Sequence, residues 1–396
     1  MQGLFLQKNT YLCTVKSTKT IALLIAMMCF HISHAQPTCI NNSANVIMLN
    51  GDDWSALCDN IDNQYRSNNK FTIVHIGDSH LQPGIVSDEV RRLLQAHYGN
   101  GGRGLVCPLS LAGTNQPSDF SMRSSSSIST AGKLISQGKT PIKGMTGVHV
   151  KFNGGSTTLS IKTLHANDQF YRIVLFHSPG DHFDVSQQGR QLKAVDLSSY
   201  ATSYVLSSLT DTARLQLNGY GFFYGMRLLN SKHGVVVDCI GNNGATYTSY
   251  NNIENFGLQL KDLDPQLVII SLGTNEAYGR YTNLSTNIDR LVTAIKAANP
   301  NAKILLTTPL ETQKKHNGGH TIQSGIAAVR DIIVNYGKTH NVAVWDFYTV
   351  GGGAGASAKW LDAGYMQSDR LHLKEKGYHL QGELLAKALL KLFQAQ

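Results

Sequence analysis

Short apolar runs recur along the chain and predict buried strands of a parallel sheet. Five such runs are 71–76 (FTIVHI), 235–240 (VVVDCI), 267–272 (LVIISL), 304–308 (ILLTT) and 342–347 (VAVWDF). Segments with apolar residues at helical spacing lie between or after them, at 86–94, 288–295, 323–336 and 376–393. Strands that alternate with helices form a parallel sheet that is covered on both faces. The pattern therefore predicts a three-layer α/β/α fold.

A different pattern occupies residues 119–233, which are rich in Ser, Thr and Gly. Apolar and polar residues alternate with period two at 156–164, 171–177, 204–208 and 213–219. This alternation, interrupted by turn residues, indicates antiparallel strands in a β-sandwich. We therefore predict a discontinuous α/β domain at 36–118 and 234–396, with an inserted β-sandwich domain at 119–233.

The first 35 residues predict a signal peptide. Lys16 and Lys19 precede the apolar run 21–32, and Ser33-His34-Ala35 places small residues at a cleavage site before Gln36. The run is too short to cross a bilayer comfortably, although an uncleaved anchor is the alternative. We expect the mature protein to be exported to the periplasm or cell envelope, without an integral membrane span.

The charge and the cysteines of the chain bear on three kinds of function or site: nucleic-acid binding, disulfide bonding and metal binding. The chain has 35 Lys and Arg against 26 Asp and Glu, a net charge of +9. The segment 119–233 holds 12 Lys and Arg, 6 Asp and no Glu. We find no polybasic run that would indicate nucleic-acid binding. Export permits disulfides, and a local Cys39–Cys58 bridge is one expectation, although the pairing stays open. No zinc-type ligand spacing occurs, so we expect neither a metal nor a cofactor.

Residues suited to nucleophilic catalysis follow the first predicted strand and precede the last predicted helix. Ser79 in Gly77-Asp78-Ser79-His80 lies on a strand-to-helix turn, where a serine hydroxyl is exposed at the sheet edge. Asp369 and His372 are three residues apart and can face the same side of a turn. Asp369 would orient His372 as the base for Ser79. Each motif alone also fits an ordinary turn or a helix cap.

Two further strand ends supply candidate oxyanion donors. The second strand runs into Gly241-Asn242-Asn243-Gly244, a glycine turn whose amides can point into a cleft. The third runs into Gly273-Thr274-Asn275-Glu276, which places an amide side chain at the same edge. Both are also ordinary strand-to-helix loops. The joint occurrence of a nucleophile, amide donors and an acid–base pair at one sheet edge favours an acyl-transfer site.

These motifs together resemble the SGNH, or GDSL-like, hydrolase superfamily. The resemblance covers about 71–112 and 235–396, with four sequence blocks in order. The third block reads GTNE where GxND is commoner, so Glu276 replaces an Asp that is not in the triad. The resemblance implies a flavodoxin-like parallel sheet and a serine esterase without cofactor. It assigns the catalytic triad to Ser79, Asp369 and His372. It assigns the oxyanion-hole donors to Ser79, Gly244 and Asn275.

A narrower resemblance is to the peptidoglycan O-acetylesterases, which are similar in length, in export and in a β-rich insert like a family 35 carbohydrate-binding module. It implies removal of the C6 O-acetyl group of N-acetylmuramic acid in peptidoglycan. Alternatives are an acetylesterase for xylan or sialoglycan, an O-acetyltransferase, and a glycan-binding protein on a decayed hydrolase scaffold. The acetylated glycan and the oligomeric state stay open. The basic insert either presents anionic glycan to Ser79 or only supports the hydrolase part.

Overall fold

The computed structural model describes residues 36–67, 69–125, 130–134, 144–279 and 281–394. The chain divides into residues 1–38 and 39–396, and the architecture given below is that of the second unit. The predicted signal peptide, residues 1–35, lies outside the described residues. None of the helices in the described ranges is both long and apolar enough to cross a membrane.

The strands and helices of the second unit are as follows. The strands are β1 (Ile47–Met48), β2 (Lys70–Gly77), β3 (Gly104–Val106), β4 (Phe120–Ser124), β5 (Thr130–Lys133), β6 (Val148–Thr163), β7 (Phe170–His177), β8 (His182–Gln187), β9 (Arg190–Gln191), β10 (Ala194–Ser198), β11 (Ala201–Thr210), β12 (Thr212–Leu229), β13 (Gly234–Gly241), β14 (Leu267–Ser271), β15 (Lys303–Thr307), β16 (Gln313–His316), β17 (Gly319–Ile322) and β18 (Ala343–Trp345). The helices are α1 (Ser55–Ser67), α2 (Ile85–Tyr98), α3 (Tyr247–Asn251), α4 (Phe256–Leu260), α5 (Leu284–Ala298), α6 (Gly325–His340), α7 (Phe347–Val350), α8 (Ala356–Asp362) and α9 (Glu375–Phe393).

One sheet of six strands has the order β1-β18-β15-β14-β2-β13. Only β1 is antiparallel to its neighbour, and β2, β13, β14, β15 and β18 run parallel. These five are the strands that the apolar runs predict, each within two residues at either end. The carboxyl ends of parallel strands meet at one edge, so the loops after β2, β13 and β14 lie together.

Alternate residues of the strands pack on opposite faces of this sheet. Ile73 and Ile269 belong to the hydrophobic cluster that contains α1, α2 and α9. Val74 and Ile270 belong to the cluster that contains α3 to α6. Because successive strand residues point to opposite faces, these runs must be apolar throughout. The predicted three-layer α/β/α fold is thereby confirmed.

A second sheet contains the ten strands β3 to β12, and all of its pairings are antiparallel. The long strands β6 and β12 pair with each other and connect the other strands to the sheet. The period-two pattern thus gives antiparallel strands as predicted, but hydrogen bonds connect all ten into one sheet. The register of β12 shifts between Asn218 and Tyr220 against β6 and between Phe223 and Gly225 against β7. This one strand pairs with β8 over 215–220 and then with β7 over 223–229. The sheet also begins at β3, ahead of the predicted insert boundary. The division into two domains at 119 and 233 stays a prediction.

Three buried ion pairs join the two sheets or their connections. Arg227 of β12 contacts Asp238 of β13 at 2.8 Å, and Arg103 contacts Asp119 at 2.7 Å. Arg91 of α2 contacts Asp168 in the β6–β7 connection. In addition, apolar residues of the antiparallel sheet share one cluster with α5 and α6. The second sheet is therefore packed continuously onto one face of the first.

The expected Cys39–Cys58 bridge does not form. Both thiols are free, as are those of Cys107 and Cys239. Cys39 donates to the carbonyl of Gly351, whereas Cys58 lies buried in α1 within the hydrophobic cluster. Cys39 thus contacts a backbone carbonyl, whereas Cys58 packs among apolar side chains. The spacing of the two cysteines along the chain does not predict these separate environments.

Candidate active site

The carboxyl end of β2 positions the candidate nucleophile. Gly77 is the last residue of this strand, and a Cβ there would lie 2.8 Å from Leu81 Cβ and 3.0 Å from the carbonyl oxygen of Ser271. Only glycine therefore fits at this close approach. The chain turns immediately after Gly77. Ser79 therefore lies half-buried at the edge of the sheet, before α2 begins.

Ser79, His372 and Asp369 form a hydrogen-bonded series. Ser79 Oγ lies 3.0 Å from His372 Nε2, and His372 Nδ1 lies 2.7 Å from Asp369 Oδ2. Asp369 Oδ1 accepts from the amides of Leu371 and His372, each at 3.0 Å. Burial opposes ionisation of Asp369, but the hydrogen bonds from His372 and the two amides outweigh it and hold its pKa below the ordinary value. His372 thus lies between Ser79 and Asp369 and is hydrogen-bonded to both, as a catalytic triad requires.

Gly244 and Asn275 lie on the same cleft as Ser79 and His372, a space of about 500 Å³. Gly244 has a φ of 69°, in the left-handed region that favours glycine. Asn275 Nδ2 donates to the carbonyl of Ala245 at 2.9 Å, which orients the amide and leaves its second hydrogen free. Within the described residues, the amides of Ser79 and Gly244 donate no hydrogen bond. The arrangement can bind a developing oxyanion with three donors.

Two buried carboxyl groups support these loops. Asp78 Oδ1 accepts from the amide of His80 at 2.9 Å, and burial raises the pKa of Asp78 to about 6. Glu276 Oε1 accepts from the amide of Tyr247 at 2.7 Å, and burial raises the pKa of Glu276 to about 7. Glu276 thus ties the third block to the loop that carries Gly244. Glu276 in place of the commoner Asp keeps a carboxyl group at this position. This carboxyl group contacts the Tyr247 amide and not the triad.

His80 packs behind His372. The two rings are 5.3 Å apart between centroids, and Tyr378 Oη lies 3.5 Å from His80 Nδ1. Burial lowers the pKa of His80 to about 3, so the ring is neutral near pH 7. His80 therefore packs against the ring of His372 and does not line the cleft itself.

Trp345 and Trp360 belong to the core. Both are fully buried, Trp345 as its strand pattern predicts. Neither is therefore a surface for stacking a sugar. Across the described ranges, no group of three or more His, Cys, Asp or Glu side chains is arranged to hold a metal ion.

Comparison with protein families gives a match over residues 207–380 to the GDSL-like lipase/acylhydrolase family. This part of the chain is therefore similar to GDSL-like acylhydrolases. The match includes Gly244, Asn275, Asp369 and His372 but begins well after Ser79. The geometry of the folded chain is what joins Ser79 to the other four. A search of curated proteins found no match.

Comparison with solved structures adds a similarity in fold. One, described as "Peptidoglycan O-acetylesterase in action, 5 min", is 22% identical with a TM-score of 0.76, and the match covers 88% of this chain and 99% of that one. A lipase/acylhydrolase from Enterococcus faecalis is 21% identical with a TM-score of 0.31, over 39% of this chain and 76% of that one. The first similarity spans both sheets and supports the SGNH hydrolase fold. The family match and this fold together indicate a carboxylic ester hydrolase.

The sequence did not reveal Gln82 as part of the candidate active site. Its Oε1 accepts from the amide of Asn243 at 2.6 Å, while its Nε2 donates to the carbonyl of Asn115 at 2.8 Å. Gln82 thereby orients the turn ahead of Gly244. Its position three residues after Ser79 is the only signal in the sequence, and that spacing alone indicates no partner.

Gln313 is a second residue of the site that the sequence did not reveal. Arg370, between Asp369 and His372, has a φ of 58°, a conformation that side chains other than glycine rarely adopt. Gln313 holds this turn, since its amide donates to the Arg370 carbonyl and its Oε1 accepts from Arg370 Nη1, both at 2.9 Å. The left-handed residue lets Asp369 reach two backbone amides and the ring of His372 at once.

Proposed function

We propose that this protein is a serine esterase that removes O-acetyl groups from glycans, with the C6 O-acetyl group of N-acetylmuramic acid in peptidoglycan as its substrate. The observation that carries the proposal is the hydrogen-bonded series Ser79–His372–Asp369 beside the donors Gly244 and Asn275. The fold similarity to a structure described as a peptidoglycan O-acetylesterase supports this choice of substrate.

Formation of the acyl-enzyme begins at Ser79. His372 Nε2, 3.0 Å from Ser79 Oγ, takes the hydroxyl proton as Oγ attacks the acetyl carbonyl. Asp369 accepts from Nδ1 and so holds the tautomer in which Nε2 is the base. His372 then gives the proton to the departing sugar oxygen, and the acetyl group stays on Ser79.

The tetrahedral intermediates place a negative charge on the former carbonyl oxygen. We assign its stabilisation to the Ser79 and Gly244 amides and to Asn275 Nδ2. Donors already held in place cost little reorganisation at the moment of reaction, and the loss of one typically costs about 3 kcal/mol. Asn275 is held by Ala245, and the turn before Gly244 is held by Gln82.

Deacylation repeats these steps with water in place of the sugar. His372 takes a proton from water, which attacks the acetyl carbonyl, and acetate leaves as Ser79 regains its proton. No metal or cofactor enters these steps. If a sugar hydroxyl replaced water, the same acyl-enzyme would make the protein an O-acetyltransferase.

We also propose that residues 1–35 direct export, so that the enzyme acts in the periplasm or cell envelope. This location fits a cell-wall substrate. It is testable by fractionating cells that produce the full chain and by sequencing the amino terminus of the exported form, which we expect to begin at Gln36.

The test of function is acetate release from O-acetylated peptidoglycan, compared with acetylated xylan, by wild type and Ser79→Ala. We expect preference for peptidoglycan, and loss of several powers of ten in the variant with an unchanged melting temperature. Activity of the variant within about tenfold of wild type would remove Ser79 from the mechanism. Preference for xylan would contradict the substrate, and transfer of acetyl to added glycan in excess of acetate release would indicate a transferase.

A further inference from the structure

The hairpin β16–β17 belongs to neither large sheet. Among the described strands, these two pair only with each other, and residues 314–319 are all exposed. Asn317 and Gly318 at its tip have φ values of 46° and 78°. Two consecutive residues with positive φ, in the order Asn-Gly, are typical of the tight turn that sets the register of a two-residue hairpin. The register of the hairpin is therefore well defined.

The base of the hairpin lies against the loop that carries the acid–base pair. Gln313 is 6% exposed, and both its backbone and its side chain bond to Arg370, two residues before His372. Gln313 Nε2 donates in addition to Ser357 Oγ at 3.1 Å. The hairpin consequently extends outward from the edge of the cleft.

The register decides which hairpin side chains share the face of Gln313. Lys315 follows Gln313 by two residues and pairs across the ladder with His320. Because strand residues alternate between faces, Lys315 and His320 lie on the face that Gln313 places against Arg370. Lys314, with Thr321 as its cross-strand partner, lies on the opposite face.

Two cations, Lys315 and Arg370, lie at the Gln313 face without an acidic partner in the described residues. Within the described ranges, neither Lys315 nor Arg370 forms an ion pair. His320 Nε2 is shielded from solvent without a hydrogen-bond partner there. The segment 312–330 contains no Asp or Glu. Lys315 and Arg370 therefore contribute uncompensated positive charge on the side of the hairpin that lies against the Arg370 loop.

We propose that the face formed by Lys315 and His320, beside Arg370, binds a carboxylate group of the polymeric substrate while an adjacent acetyl ester occupies the cleft. The inference rests on the proposed function and adds to it a subsite for an anionic glycan strand. Arg370 lies two residues from His372, so a bound carboxylate would lie close to the reacting sugar. Cations of this kind raise the local concentration of an anionic chain and fix its register.

The test compares Lys315→Gln with Lys314→Gln, which removes the same charge from the opposite face. The substrates are soluble O-acetylated peptidoglycan strands, the same strands with their carboxylates amidated, and 4-nitrophenyl acetate. We expect Lys315→Gln to raise KM for the carboxylate strands by about threefold relative to its effect on the other two substrates, as for one exposed ion pair. The double variant Lys315→Gln/His320→Gln should lose more, and salt should reduce the difference from wild type.

Lys314→Gln should stay close to wild type on all three substrates. Equal losses in the two lysine variants, equal losses on amidated and free strands, or no loss would each overturn the proposal. If wild type releases no Ser79-dependent acetate from the strands, the proposed function fails separately. Binding of free and amidated strands to Ser79→Ala protein carrying the same lysine substitutions then decides the hairpin question without catalysis.

Discussion

The six-stranded sheet and the ten-stranded sheet place their polar side chains differently. In the first, β2 and β14 are buried almost throughout, and polar groups such as Ser79 and Asn275 follow the strand ends. In the second, β12 alternates exposed and buried residues along much of its length, as at Arg214 and Leu215. At the edge of the parallel sheet, groups from distant parts of the chain therefore converge on one cleft.

The buried charges of the antiparallel sheet have another role. Arg103 and Arg227 each pair with an aspartate at or near the contact between the two sheets. Paired, buried charges of this kind specify how surfaces fit together, and they become costly when one partner is lost. The comparison predicts that substitutions at the junction lower stability without lowering catalysis, and that substitutions at the strand ends do the opposite.

Arg227→Met tests the junction and has the largest expected effect. Arg227 Nη2 donates to Thr72 Oγ1 at 2.8 Å and Nε donates to Asp238 Oδ1 at 3.1 Å, so its removal leaves Asp238 buried without its cation. Breaking such a pair costs about 3–5 kcal/mol of unfolding free energy. Denaturant unfolding measures the loss, and kcat of the folded fraction should stay near wild type. A large fall in kcat would mean that the junction also positions the site.

Asn275→Ala tests the strand end. We expect kcat to fall by about 100-fold, an effect of about 3 kcal/mol, because the lost donor acts on charge that exists only in the intermediates. KM should change much less, and the melting temperature should change little, since only the bond to Ala245 is lost from the fold. A defect confined to KM would instead make Asn275 a substrate-positioning residue.

Glu276→Gln tests whether the charge of Glu276 affects stability apart from its hydrogen bond to the Tyr247 amide. Burial raises the pKa of Glu276 to about 7 from an ordinary value of 4.5, so folding favours the protonated form. The stability from this group is complete below pH 4.5 and declines as pH rises through 7. Unlike the carboxyl, Gln keeps an acceptor for the Tyr247 amide without ionising. The variant should therefore gain on the order of 2–3 kcal/mol relative to wild type between pH 5 and 8.

Melting curves of both proteins at several pH values measure that gain. Glu276→Ala serves as the control, because it removes the acceptor as well and should be less stable than Glu276→Gln at every pH. A constant difference between wild type and Glu276→Gln across the range would contradict a titrating carboxyl at this position.

The sequence predicts the site better than it predicts the second sheet. Apolar runs locate parallel strands because both faces of such strands are buried, and motifs at their ends then name Ser79, Asn275, Asp369 and His372. Gln82 and Gln313 escape prediction because a glutamine becomes a positioning residue only through partners far along the chain. The pattern at 119–233 likewise gives antiparallel strands but not the added strand β3, whose pairing with β12 depends on the tertiary fold.

The smallest expected effect concerns the charge of the antiparallel sheet. Its segment 119–233 carries a net charge of +6, and we propose that exposed cations there, such as Arg190, Lys193 and Arg214, attract anionic glycan. Replacing all three with Gln should lower acetate release from insoluble cell wall by about twofold, and salt should remove the difference because surface charges are screened.

This charge experiment is sharper than deletion of residues 119–233. That deletion would expose the cluster shared with α5 and α6, and it would remove Asp168 and Asp119, which pair with Arg91 and Arg103. The triple variant keeps the buried packing, so hydrolysis of 4-nitrophenyl acetate is the control for folding and chemistry. A matched loss on both substrates would mean that these cations act on the site itself. Unchanged activity on both would leave the antiparallel sheet as structural support, with substrate capture confined to the edge of the parallel sheet and the hairpin beside it.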